Sequence, residues 1–99
     1  MKTQQRLERN QHYLHILSDC TPKLRKNLLK AASRELVEAI CECAYNALLG
    51  IPDLSHDEKE RLRKHRKLCR YLSASGCSLA KKRERLVNQR GNGFFTALL

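Results

Sequence analysis

Acid is scarce in the second half of this chain. From residue 59 to 99 only Glu60 and Glu84 are negative, against twelve lysines and arginines. Residues 1 to 58 hold eight basic and eight acidic side chains and sum to zero, so the whole formal surplus of +10 lies C-terminal. Long apolar runs are missing too. Nothing approaches the ~20 residues of a membrane-spanning helix. The opening MKTQQRLERNQHYLHIL has no continuous apolar region followed by small residues, so no signal peptide is expected. Apolar–polar alternation with β-branched or aromatic residues is never sustained, which excludes a sheet and leaves an all-helical protein. No phosphate loop, nucleophile elbow or carboxylate motif occurs, so neither an enzyme nor a cofactor is expected. Five cysteines, an odd number, fit reduced thiols in an intracellular protein better than a disulfide framework.

Against these absences stands one strong helical segment, SRELVEAICECAYNALLG, from Ser33 to Gly50. Leu36, Ile40, Cys43, Ala44, Ala47 and Leu48 recur at the spacing of one buried helix face. Ser33 reads as N-cap with Glu35 in the first turn, Gly50 as the left-handed C-cap, Ile51 as its apolar clasp and Pro52 as the stop. Before it, residues 3 to 18 form a helix with Leu7, Leu14 and Leu17 on one face and Tyr13 and Ile16 beside it. Thr21–Pro22 then caps and opens a second helix to about Ala32, apolar at Leu24, Leu28, Leu29 and Ala32, with Lys23, Arg25, Lys26 and Lys30 toward water. A break at Ser33 is preferred over continuous helix.

After Pro52, Ser55 and Glu58 make a capping box for a fourth helix from His56 to Ala74, closed by Gly76. Its apolar face is thin: Leu62, Cys69 and Leu72, joined by His65, with Leu68 and Tyr71 on the flank. Ser78 caps a fifth helix, LAKKRERLVNQR, and the uncharged tail FFTALL follows Gly91 and Gly93. The chain length supports one small core. The expected fold is therefore an all-α bundle of four to five short helices with a flexible C-terminal part. Its parts are a helical core at 1–76, a basic helix at 77–91 and an apolar tail at 92–99. Residues 79 to 99 are the ones expected to order only on binding.

The charge surplus sits on the last two helices. Lys59, Arg63, Arg66, Lys67 and Arg70 share one broad face, and Lys81, Lys82, Arg83, Arg85 and Arg90 follow. Such a surface attracts phosphate backbones with an affinity that falls steeply with salt. Finger spacing, basic-zipper heptads and an aromatic stacking ladder are all missing, since Tyr71 alone is aromatic there, so sequence-specific reading is not expected. A charged face kept for solubility, or one that grips an acidic protein or an anionic membrane, carries the same pattern.

Metal and thiol chemistry have weaker claims. His65 and Cys69 lie four apart with Cys77 beyond, yet no second ligand pair is visible, so a satisfied histidine and a buried thiol are expected, with no metal. His12 and His15 invite the same reading. Cys41 and Cys43 project about 200° apart around the helix and cannot chelate together. Glu38 and Glu42 share its polar side, toward solvent or paired with basic residues.

RELVEAICECAYNALLG, the basic HRKLCRYL from His65 to Leu72, and LAKKRERLVNQRG ending at Gly91 resemble short basic proteins encoded by Maverick/Polinton-type DNA transposons and adenovirus-like elements. The resemblance spans about residues 22 to 95 and departs from the family pattern at Cys77, Ala80, Glu84 and Asn92. It implies a virus-like gene. Such elements encode an adenovirus-like protease, and Gln89–Arg90–Gly91–Asn92–Gly93 fits the pattern those proteases cleave, with the cut between Asn92 and Gly93.

Two functional expectations follow. One is a virion-core or genome-associated protein, nuclear or virion-associated, that contacts DNA or RNA phosphates through Arg63, Lys64, Arg66, Lys67, Arg70, Lys81, Lys82, Arg83 and Arg85. The other is a minor capsid or cement protein whose tail, through Phe94, Phe95, Leu98 and Leu99, docks on a capsid protein unless it packs back on its own core.

Overall fold

The computed structural model describes residues 2–50, 55–89 and 93–99, and every regular element among them is helical. The elements are α1 (Lys2–Asp19), α2 (Pro22–Ala31), α3 (Arg34–Leu49), α4 (His56–Arg63), α5 (Arg66–Ser73), α6 (Leu79–Val87) and α7 (Gly93–Leu98). Among the described residues seven helices replace the four to five expected from the sequence. The extra two arise because the long basic helix divides and because the tail is itself helical.

α3 is the hub. The Ser33 Oγ accepts the Leu36 amide at 3.1 Å, and Gly50 closes the far end at φ 69°. A left-handed residue there releases the helix from its ladder, and only glycine adopts it without steric cost. Ile51 and Pro52 lie outside the described residues, as does the side chain of Glu58. Because α3 packs against α1, α5, α6 and α7, its buried surface is wider than one stripe. Val37 and Ala39 join Ile40 and Ala44 in full burial, whereas Leu48, read as core from the sequence, is 37% exposed. Cys41 and Cys43 project apart and are half-buried; burial pushes both thiols up to about 11, so neither is a thiolate at neutral pH.

The division between α4 and α5 falls at Lys64 and His65. His65 leaves helical geometry at φ −109°, ψ 16°, and its amide bonds Leu62 O at 2.9 Å in a tighter turn. The like-charged pair Arg63/Lys67, four residues apart, spans the division and opposes one continuous helix. The two pieces also have different partners, α4 lying on α7 and α5 on α3. α5 ends at an extended Ala74, not at Gly76.

Two arginines hold helix ends together. Arg25, expected at the surface, is only 2% exposed. Its Nε donates to Leu17 O at 2.7 Å and an Nη to Cys20 O at 3.1 Å, satisfying the last carbonyls of α1, while its guanidinium lies 4.7 Å from the Phe95 ring centroid. Arg83 does the same for α2, donating to Leu29 O at 3.2 Å and to Ala32 O. A cation at a helix C-terminus also meets the negative end of the helix dipole.

The described residues of the C-terminal part, expected to be flexible, are likewise packed. Leu86 of α6 is 1% exposed, and Phe94 and Phe95 of α7 are fully buried. They stack edge-on with centroids 5.2 Å apart, and Phe94 meets the His65 ring at 5.6 Å. The two phenylalanines are the largest fully buried side chains among the described residues, and burying them opposes the entropy cost of ordering a short tail.

Candidate nucleic-acid interface

α5 separates its residues by chemistry. Leu68, Cys69 and Leu72 face the core, so Arg66, Lys67 and Arg70 must face water, because these spacings fall on opposite sides of a helix. Arg63 and Lys64, at the α4–α5 division, are also exposed. On α6 the buried Leu86 and the Arg83 contact with α2 turn Lys81 and Arg85 outward. Arg85 then lies 4.6 Å from the ring centroid of Tyr71 on α5, which ties the exposed sides of the two helices together.

Seven of the nine residues expected at phosphates are therefore exposed: Arg63, Lys64, Arg66, Lys67, Arg70, Lys81 and Arg85. Lys82 and Arg83 are not part of that group. Lys82 is half-buried and lines a cleft with Arg6, Glu38, Cys41 and Glu42, while Arg83 is committed to the α2 carbonyls. Helical spacing had placed all four cations of KKRER on a charged segment, but α6 packs on both α2 and α3 and so has a narrow free side. Lys59 was read on the same broad face. It borders a cleft of about 270 Å³ with Leu48, Leu49, Leu62, Arg63 and Arg66, which extends the cationic surface toward the end of α3.

Charge balance differs sharply across the molecule. On α1 and α3 the ions are matched: Arg6 pairs with Glu42 and, at 3.3 Å, with Glu38; Arg9 pairs with Glu35; Arg34 bonds Glu38 at 2.9 Å. The Arg9 hydrogen bond holds the Glu35 carboxyl below its usual range, whereas burial raises that of Glu42 despite Arg6. On the basic side Arg63 contacts Glu60 at 3.2 Å, a solvated pair of small worth. Among the described residues no carboxylate pairs with Lys64, Arg66, Lys67, Arg70, Lys81 or Arg85.

The remaining sequence candidates are placed as follows. Gln89 is half-buried after α6 and Gly93 begins α7, while Arg90, Gly91 and Asn92 lie outside the described residues. Phe94 and Phe95 are in the core, with Leu98 and Leu99 half-buried against it. Cys69 is buried and the His65 ring faces Phe94; among the described residues no group of His, Cys, Asp and Glu has the arrangement to hold a metal ion. His15 contacts Asp19 at 3.2 Å on the surface of α1. No described helix is long and apolar enough to cross a membrane. No protein-family model, curated protein or solved structure matches this chain, so the functional argument rests on the surface itself.

Proposed function

We propose that this chain binds nucleic acid through the phosphate backbone without sequence preference, as a genome-associated or virion-core protein of a virus-like element. The observation that carries this reading is the set of exposed, unmatched cations on α5 and α6, joined by the Tyr71–Arg85 stack. A surface kept for solubility has no need to gather one sign on two adjoining helices, whereas a polyanion rewards it through released counterions. The genome-associated part of the reading comes from the sequence resemblance. Tyr71, the aromatic between the cations of α5 and α6, is already covered by Arg85, which favours backbone contact over base stacking. The capsid-docking alternative requires α7 to leave its seat, because the phenylalanines that would dock are fully buried.

The test is binding to random-sequence duplex DNA by fluorescence anisotropy over a salt series. Contact with about six phosphates gives a log–log slope near −5 and about a thousandfold weakening between about 50 and 200 mM salt. The triple variant Arg66→Gln, Lys67→Gln, Arg70→Gln should lower the slope by about three. No binding at low salt, or a slope unchanged in that variant, sinks the proposal. Equal binding to an acidic polypeptide would replace nucleic acid by an acidic protein as the ligand.

A further inference from the structure

A cationic cleft lies across α6 from the α5 surface. Val87 borders it while Arg85 meets Tyr71, and residues two apart on a helix project about 200° apart around its axis. Arg83 ties α6 to the last carbonyls of α2, so the two helices run antiparallel and the start of α2 meets the end of α6. α6 stops at Val87 with Asn88 as its cap, and there the seam between the helices opens into a cleft of about 630 Å³. Lys23 and Lys26 rim it on the α2 side, and Asn88 and Gln89 stand at its end. The almost fully buried Leu29 and Leu86 close its floor, and the half-buried Val87 supplies an apolar wall.

Three kinds of chemistry in one cleft restrict what fits it. Lys23 and Lys26 are exposed, lie three apart on one side of α2, and pair with no carboxylate among the described residues. No carboxylate lines the cleft, and Glu84, one turn before Asn88, is exposed outside it. Arg25 also lines it, but its guanidinium is committed to the α1 carbonyls. The rim therefore calls for an anionic group. A bare phosphate would use the lysines and leave the Val87 wall in water. So would a duplex, whose bases are stacked inside it. The volume falls within the roughly 300–1,000 Å³ of small-molecule sites, which admits a nucleotide and not a duplex. A single unpaired nucleotide joins a phosphate, an apolar base face and a polar base edge, and the Asn88 and Gln89 amides each offer that edge both donors and an acceptor.

We infer that the α2–α6 cleft seats an unpaired nucleotide of a single-stranded nucleic acid, its phosphate at Lys23 and Lys26 and its base against Val87. The inference rests on the nucleic-acid reading above and adds strand selectivity to it. The α5–α6 face takes the backbone of either form, whereas the cleft takes a strand whose bases are free.

Backbone amide resonances of the isotope-labelled full chain, titrated with a single-stranded thymidine pentanucleotide and separately with a random-sequence duplex, test this. The pentanucleotide should move Lys23, Lys26, Val87, Asn88 and Gln89, and the duplex should move Arg66, Lys67 and Arg70 while leaving Val87 and Asn88 in place. The double variant Lys23→Gln, Lys26→Gln should keep its helicity, weaken the pentanucleotide by about tenfold and weaken the duplex by less than about threefold. Val87, Asn88 and Gln89 unmoved by the pentanucleotide overturn the inference, as does an equal loss for both forms in the double variant. The same shifts from a glutamate pentapeptide overturn it too, in favour of an acidic protein segment. Duplex binding through α5 is read in the same titrations, so the cleft can fail while the proposed function holds, and a chain that binds neither form refutes both.

Discussion

The arginines of this molecule divide into two kinds that the sequence does not distinguish. Arg25 and Arg83 are turned inward, each donating to the terminal carbonyls of a neighbouring helix. Arg66 and Arg70, likewise on basic helices, are exposed and pair with no carboxylate among the described residues. The difference teaches what decides the role of a cation in a small helical protein. A helix end with bare carbonyls inside the fold is a stronger claim on an arginine than solvent is, because an unmet buried carbonyl costs about 1–3 kcal/mol. The ones left over form the outward face.

Substitutions that exchange the two kinds test this division. Arg25→Ala should have the largest effect on stability, about 3 kcal/mol. It takes the guanidinium from Cys20 O and Leu17 O at the end of α1, leaving Leu17 O with the weak Cys20 thiol donor, and removes the cover over Phe95. In a domain of this size that loss should lower Tm by roughly 15 °C in a thermal melt. Arg83→Gln should cost about 1–2 kcal/mol by the same reasoning at the end of α2. Its affinity for duplex DNA should stay within about twofold and its salt slope should not move. An Arg83→Gln chain that keeps its Tm and loses DNA affinity would show that the inward assignment is mistaken. Arg66→Gln should do the reverse, changing stability by less than about 0.5 kcal/mol while lowering the salt slope by about one.

The smallest effect concerns pH. Burial against Phe94, and then the Lys64 charge, hold the His65 imidazole below its ordinary value of 6.5. A histidine whose folded pKa is depressed favours the native state when neutral. Its contribution is complete above 6.5 and is lost as pH falls from there through the folded pKa. Wild-type stability measured by urea denaturation should therefore decline across that window, and the decline should be shallower in His65→Gln.

Much of the local structure was legible. The Ser33 and Gly50 caps, Thr21–Pro22 at the start of α2 and Ser78 at the start of α6 depend on hydrogen bonds within a few residues, and all are present. The break at Ser33 was also readable, because a serine hydroxyl competes with helix continuation at that point. The division at His65 was not, since it reflects two different packing partners for one charged segment. The same limit applied to the interface. Spacing correctly turned Arg66, Lys67 and Arg70 outward, because Leu68, Cys69 and Leu72 fix the opposite side. It misplaced Lys82 and Arg83, because nothing local to α6 reveals that α2 and α3 both lie against it.

The sequence by itself determined the helical class, the ends of three helices and the segregation of positive charge, all of which depend on neighbours along the chain. Tertiary structure alone decided which arginines became internal caps and that FFTALL closes the core. It also decided that α2 and α6 leave a cleft rimmed by Lys23 and Lys26 between them. Those outcomes depend on which carbonyls and apolar faces meet across tens of residues, and no local pattern encodes that meeting.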